Sequence, residues 1–437
     1  MSKEYIDVLP TNVNQVQAVS YHDGNPLVEF KIGAQERYLL GSTVRLNGVL
    51  SVFKTTPTGD VQIGAADDVN MDPRLGVFAC IDQLVISSAK TSQTIEHIKN
   101  YNTMLSTYLP VSSSPQDLVG HMGVTSLTSA NLAANKIMMT QVNADKAALT
   151  GGSEFSIPLP CGLLLGQNPI PLSQNWGVKG LNLQLFLAPD SSVLFGTLPG
   201  ISSCYYTIRN LHLTAEVQTP VPDQLSQLMR QTNSSYEYNS ISGFYATIQN
   251  SYATINFQLG LKRVLSFWSS FITSAHINNY NYNSFARRDL RSNADGTGLV
   301  KIKEVFFTRD SVRFPQEYIM TTVKHADNAI AQGEDAQITR NFINAVSPFT
   351  KLRRTTVSPL NTPGTAELDN TLPDGGNIFG IGCALDTISN QGVDYSNSQF
   401  GMVINSDLAD DNPQSVFVFV HAKQTLLMNA QGIQVLS

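Results

Sequence analysis

Apolar residues at every second position recur along most of this chain. Leu181, Leu183, Leu185 and Leu187 alternate with Asn182, Gln184 and Phe186, and Leu211, Leu213, Ala215 and Val217 alternate with His212, Thr214 and Glu216. Val44, Leu46, Gly48, Leu50 and Val52 repeat the pattern. Successive side chains of a β-strand point to opposite faces, so a period of two is the signature of strands with one face on a core. Ile302 to Phe307 and Val312 to Phe314 read as further strands. Val416 to Val420 is apolar at every position, which predicts a central strand covered on both faces. Between these runs lie clusters such as Pro363-Gly364 and Asp374-Gly375-Gly376, whose backbone preferences make turns. Many short strands punctuated by turns predict an all-β sandwich or barrel.

Helical spacing is confined to three places. Ile95, Ile98, Tyr101, Leu105 and Tyr108 step by three or four and predict one helix of about four turns. Pro222-Asp223 ahead of Leu225, Leu228 and Met229 predicts a helix with proline in its first turn. Ile330 to Val346 is a third candidate, interrupted by Gly333. These are inserts on a β scaffold.

The chain also repeats itself. Val28-Glu29-Phe30-Lys31-Ile32-Gly33 matches Ile255-Asn256-Phe257-Gln258-Leu259-Gly260 in residue type, and each is followed by another strand-like stretch, Thr43 to Phe53 and Val264 to Ile272. Alternating strands that end near Val217 and Val435 close the two halves. At 437 residues there is room for two β units of the size of an elaborated jelly roll. The expected organisation is an N-terminal arm over residues 1–20, a first jelly roll over 21–218, a helix-bearing linker over 219–240 and a second jelly roll over 241–437.

Composition narrows the function. Lys plus Arg is 28 against 34 Asp plus Glu, a net charge of −6, which argues against an electrostatic grip on nucleic acid or anionic lipid. Only 14% of residues are charged, and uncharged polar residues take their place, a surface that repels its own copies weakly. Cys80, Cys161, Cys204 and Cys383 are scattered with no paired spacing, so neither a zinc site nor a disulfide framework is expected. The first residues lack the apolar core of a signal peptide, and no apolar run nears the ~20 residues of a membrane span. A soluble protein made in a reducing compartment is expected.

The search for chemistry yields no catalytic motif and predicts no catalytic, cofactor-binding or metal site, no cofactor and no enzyme. The histidines at 22, 97, 121, 212, 276, 325 and 421 are isolated in sequence, with His97 expected on a helix and His212 on the outer face of a strand. Cys161, in the proline-fixed apolar run Ser156 to Leu163, reads as a buried thiol, because a nucleophilic cysteine needs an accessible, electropositive setting. Asp407, Asp410, Asp411 and Asn412, and separately Asp67-Asp68, supply oxygens of the kind calcium takes but lack an EF-hand order, so polar loops are the expected reading. Asn279 to Arg291 interleaves aromatics with arginines, a composition that stacks on single-stranded bases or packs into a neighbouring subunit; the acidic balance favours the subunit. Lys351-Leu352-Arg353-Arg354 is expected to be a solvated or interfacial patch.

Three stretches carry a resemblance to a known family. The first runs from Asp72-Pro73-Arg74-Leu75-Gly76-Val77-Phe78 through Leu84-Val85-Ile86 to Ile95-Glu96-His97-Ile98-Lys99-Asn100-Tyr101-Asn102. The second is Phe155 to Leu159 followed by Leu181 to Leu187, and the third is Ser415 to Val420 through Gln424-Thr425-Leu426 to Gly432-Ile433-Gln434-Val435. In these the chain resembles the double jelly-roll major capsid proteins of icosahedral DNA viruses, especially those of virophages and polinton-like viruses. The resemblance implies two upright jelly rolls side by side, a homotrimeric pseudo-hexameric capsomer, contacts with neighbouring capsomers and with penton and minor capsid proteins, and a place in the virion after synthesis in the host cytoplasm or nucleus. Two rival readings remain open at this stage. One is a carbohydrate- or receptor-binding jelly-roll protein, a lectin or spike, with Trp176 and Trp268 as a sugar platform; the other is an enzyme on a paired jelly-roll scaffold.

Overall fold

In the computed structural model the described residues are 2–14, 17–63, 67–72, 75–112, 137–138, 153–166, 168–230, 233–285, 301–314, 320–321, 341–346, 380–385, 392–407 and 414–436. The alternation becomes strands where it was expected. Leu181, Leu183, Leu185 and Leu187 are buried and the residues between them half-buried. Val44, Leu46, Gly48, Leu50 and Val52 point inward together.

Sixteen principal strands fall into two sets of eight. The first set is β1 (Ser2–Val8), β2 (Leu27–Ile32), β3 (Tyr38–Thr56), β4 (Ile81–Ser88), β5 (Thr94–Ile98), β6 (Ser153–Pro158), β7 (Leu181–Leu187) and β8 (Cys204–Thr219). The second is β9 (Asn233–Ile248), β10 (Tyr252–Gln258), β11 (Val264–Thr273), β12 (Lys301–Arg309), β13 (Val312–Arg313), β14 (Gly380–Ala384), β15 (Gln399–Asp407) and β16 (Gln414–Asn429). In the first set β1-β8-β3-β6 form one sheet and β2-β7-β4-β5 the other. In the second set the orders are β9-β16-β11-β14 and β10-β15-β12-β13, the same topology strand for strand. All of these pairings are antiparallel. The six-residue repeat falls on β2 and β10, which hold equivalent edge positions. The architecture is all-β, two jelly rolls with few helices.

Several expectations are corrected. The predicted helix from Ile95 to Tyr108 is split: Thr94–Ile98 is strand β5, laddered to the edge of β4, and the helix α1 covers only Tyr101–Ser112. Asn100, at φ +52°, turns the chain between them. A spacing of three is compatible with both elements here, and the open edge of β4 decided in favour of the strand. His97 therefore lies on a strand, not a helix. The strand equivalent to β8 is β16, and Val435 sits in a short return strand, Ile433–Leu436, paired to it. The expected N-terminal arm is not free, because Ser2–Val8 pairs along β8 as the outermost strand of its sheet. The linker helix forms as α2 (Pro222–Met229), and β9 already begins inside the stretch read as linker. Of the third helix candidate, residues 341–346 are helical; the rest, and the turns at 363–364 and 374–376, lie outside the described residues.

The apolar character of β16 on both faces has a specific cause. Val416, Val418 and Val420 enter a core with Phe267, Phe271, Phe307 and Phe400 inside the second jelly roll. Phe417 and Phe419, on the opposite face, join Trp268, Ile272 and Ile241 in the core of the first. Phe267 and Trp268 are thus neighbours in sequence that serve different cores. Phe267→Ala and Trp268→Ala are each expected to cost about 3–5 kcal/mol in equilibrium denaturation. Trp268→Ala alone should also expose the junction of the two units to limited proteolysis.

Candidate functional site

The most unusual group in the molecule is a carboxylate at this junction. Glu96 is carried by β5 between Ile95 and Ile98 and is only 3% exposed. One of its oxygens, Oε1, accepts the backbone N–H of Gly162 at 3.0 Å and of Ile241, in β9 of the second unit, at 3.2 Å. Oε2 accepts the N–H of Leu163 at 2.9 Å. Burial pushes the Glu96 carboxyl up to about 7, while the three backbone N–H groups and the Cys161 thiol pull it back. An ionised carboxylate only accepts hydrogen bonds, and donors surround this one.

The junction around it is polar at its rim and apolar inside. Tyr238 Oη donates to Ile95 O at 2.6 Å, Tyr236 Oη to Asn168 O at 2.8 Å and Ser234 Oγ to Trp176 O at 2.7 Å. Deeper in, Trp268 Nε1 donates to Thr107 Oγ1 of α1 at 3.0 Å. Lys179 Nζ donates to Ala430 O at 3.2 Å. Two glycines allow the backbones to touch. A Cβ on Gly162 would lie 1.4 Å from Asn239 O, and one on Gly243 would lie 2.6 Å from Lys99 O.

A carboxyl with a raised pKa marks a catalytic candidate when it faces a cleft. Among the described residues Glu96 faces none: its oxygens are taken by backbone N–H groups and the Cys161 thiol, so its role is to clamp β5, the 161–163 turn and β9 together. The neighbouring Cys161 is buried, and burial followed by the Glu96 charge pushes its thiol well above the ordinary value, the opposite of what a nucleophile needs. Asp190, pushed up to about 6 chiefly by burial, accepts the N–H of Tyr206 at 3.0 Å and holds β8 in the same manner.

The other residues singled out in the sequence are dispersed. His97 Nε2 is 3.1 Å from Gln83 Oε1, His22 stacks on Tyr205 and His276 on Tyr282. His212 Nδ1 lies 2.8 Å from Asn210 O, and His421 is buried. His121 and His325 lie outside the described residues. Among the described residues no three His, Cys, Asp or Glu side chains gather closely enough to hold a metal. Asp68 instead fastens a loop, accepting Thr197 N at 3.1 Å and Asn70 Nδ2 at 2.8 Å. Residues 408–413, which include Asp410, Asp411 and Asn412, and the basic cluster at 351–354 fall outside the described residues. In the Tyr/Arg stretch, the described part is partly packed against its own chain, while Tyr282 is exposed. Asn283 Nδ2 donates to Asp72 Oδ2 at 2.8 Å, Tyr280 Oη to Cys204 O at 3.3 Å, and Phe285 is buried. Its arginines at 287, 288 and 291 lie outside the described residues. Trp176 and Trp268, 2% and 0% exposed, are not a surface platform. Among the described residues no helix is long and apolar enough to cross a membrane.

Neither a protein-family model nor a curated protein matches the sequence. Solved structures do match the fold. The Faustovirus major capsid protein superposes with a TM-score of 0.59 at 10% identity, over 98% of this chain and 90% of that one. The fold is the double jelly roll. VP54 of PBCV-1, fitted into a reconstruction of the virophage Sputnik, matches with a TM-score of 0.56 at 9% identity, covering 99% of this chain and 96% of that one. The Sputnik virophage structure gives 0.53 at 11% identity, over 99% and 88%. In a double jelly roll, the seam between the rolls sets how the two sandwiches stand relative to each other, and Glu96 is a polar contact that ties both units there.

The sign of the Glu96 titration is testable. A carboxyl whose folded pKa lies above its unfolded value near 4.5 stabilises most in its protonated form, so this contribution is full below pH 4.5 and is lost as pH rises through about 7. Wild-type stability should fall across that window by up to about 1.4 kcal/mol per pH unit relative to Glu96→Gln. The deficit of the variant therefore shrinks as pH rises, measured by urea denaturation at a series of pH values; a constant deficit contradicts the assignment. Gly162→Ala should prevent the seam from closing, seen as a lowered thermal midpoint with β-rich circular dichroism retained.

Proposed function

We propose that this chain is a structural, non-enzymatic major capsid protein. The observation that carries the proposal is the match of the whole double jelly roll, both units and their order, to viral major capsid proteins at nearly full length of both chains. The domain organisation follows: a first roll over 21–218, a helix-bearing linker over 219–240 and a second roll over 241–437, with β1 and β9 reaching across these borders into the sheets they complete.

In this reading function is assembly. Three chains form a homotrimeric, pseudo-hexameric capsomer in which six jelly rolls ring an axis, and capsomers tile an icosahedral viral shell. The trimer contacts are permanent and each exceeds the ~1,200–2,000 Å² of a standard specific interface. Capsomer-to-capsomer contacts are weaker and act in number. Penton and minor capsid proteins are the further partners. Each chain carries −6, so a trimer carries −18 and does not neutralise a packaged genome; direct nucleic-acid binding plays no strong part. The chain acts in the virion, after synthesis in the host cytoplasm or nucleus.

Light scattering of the purified protein should return three times the 47.6 kDa chain mass, and electron microscopy should show hexagonal capsomers or shells. A monomer at all concentrations and salts overturns the proposal, and a monomer that binds a glycan array supports the lectin or spike reading instead.

A further inference from the structure

One atom at the seam serves both units. Glu96 Oε1 accepts the Gly162 N–H of its own unit at 3.0 Å and the Ile241 N–H of β9 at 3.2 Å, while Oε2 accepts the Leu163 N–H at 2.9 Å. The bond that crosses between the units is the longest of the three. Among the described residues no strand pairs with the outer edge of β9, so at Ile241 a side chain stands where a ladder would otherwise continue the sheet. The neighbouring crossing contact is Tyr238 Oη to Ile95 O, and that hydroxyl has a second acceptor in its own unit, Gln424 Oε1 at 2.6 Å.

The two charge states of Glu96 respond differently if this edge of β9 lifts. The closed seam offers the anion three N–H groups and the Cys161 thiol, and the loss of water outweighs them. When β9 moves away, Gly162, Leu163 and Cys161 remain with the carboxylate, because all three belong to the first unit. The anion then gives up one hydrogen bond, to Ile241, and regains its hydration. Tyr238 keeps Gln424. The neutral acid gains far less from water, so it favours the closed seam.

We propose that Glu96 and Ile241 form a proton-operated latch between the two units: the neutral acid holds β9 against the first unit, and its ionisation admits water and frees that edge while both sandwiches stay folded. The other titratable groups around Glu96 leave the signal to it. Burial first, and nearby charge second, push the Cys161 thiol and the Tyr101 and Tyr238 phenols up, so they keep their protons. On β9, Glu237 is bound by Lys423 at 2.7 Å and Arg263 at 3.1 Å, which hold it below the usual carboxylate range. On β5, exposed His97 is drawn below its ordinary value by burial and by Lys99. The latch lies within one chain and stands independently of the capsid reading.

The experiment is hydrogen exchange of the full chain at a series of pH values, read by fragmentation mass spectrometry at the Ile241 amide, with Leu183 and Val418 of the two cores as references. After correction for the intrinsic rate, opening at Ile241 should rise about tenfold per pH unit between pH 4.5 and about 7 and then level off. Low urea should leave it unchanged, because local opening exposes little surface. Leu183 and Val418 should exchange far more slowly and accelerate with urea. Glu96→Gln, which retains His97, should flatten the pH dependence at Ile241; a variant that keeps the slope overturns the latch. Wild-type exchange at Ile241 that matches Leu183 and Val418 in rate and urea dependence overturns it too, since the edge then opens only when the chain unfolds. So does a wild-type opening that ignores pH. These last two results need no variant and decide the matter even if Glu96→Gln fails to fold.

Discussion

The second jelly roll turns an apolar surface outward from its own core, toward the first unit. Trp268, Ile272, Phe417 and Phe419 point away from their own core into a cluster formed chiefly by the first unit, with the 341–346 helix of the second beside them. Exposed alone, such a face would aggregate. Everything distinctive about the seam follows from that need. Backbone must approach backbone, so glycine stands at 162 and 243, where any Cβ would collide. The backbone N–H groups left at the edge of β9 and in the 161–163 turn need an acceptor away from water, and Glu96 supplies one for three of them.

Burying a carboxylate is costly, and the raised Glu96 pKa records the cost. The return is geometric. An apolar contact is tolerant of sliding, whereas a carboxylate held by N–H groups from β9 and from the 161–163 turn tolerates little. Tyr236, Tyr238, Ser234 and Trp268 add directional bonds around the same junction. On the capsid role proposed above, a fixed angle between the two halves matters because an error in that angle would be repeated at every contact.

Strand positions were legible in the sequence because a half-buried strand writes its geometry into the chain locally, with period two. The duplication was legible at β2 and β10 for the same reason: equivalent edge strands face equivalent surroundings and retain similar residue types. Ile95 to Tyr108 was misread because its spacing serves a helix as well as a strand followed by a helix. The choice was made by the unpaired edge of β4, a feature distant in sequence. Glu96 went unnoticed as a structural centre. Its one local sign is a charged residue between Ile95 and Ile98, and its partners at 162, 163 and 241 come together only in three dimensions.

The sequence by itself determined the class of fold, the presence of two related units, the burial of Cys161 and the apolar nature of both faces of β16. These depend on patterns of neighbouring residues and on the hydrophobic effect acting along single strands. The tertiary structure alone decided which face of the second sheet meets the first unit, that β1 completes a sheet instead of extending as an arm, and that one glutamate joins the halves. Such outcomes depend on which edges and faces remain unpaired after each sandwich has closed, and that is a property of the assembled sheets.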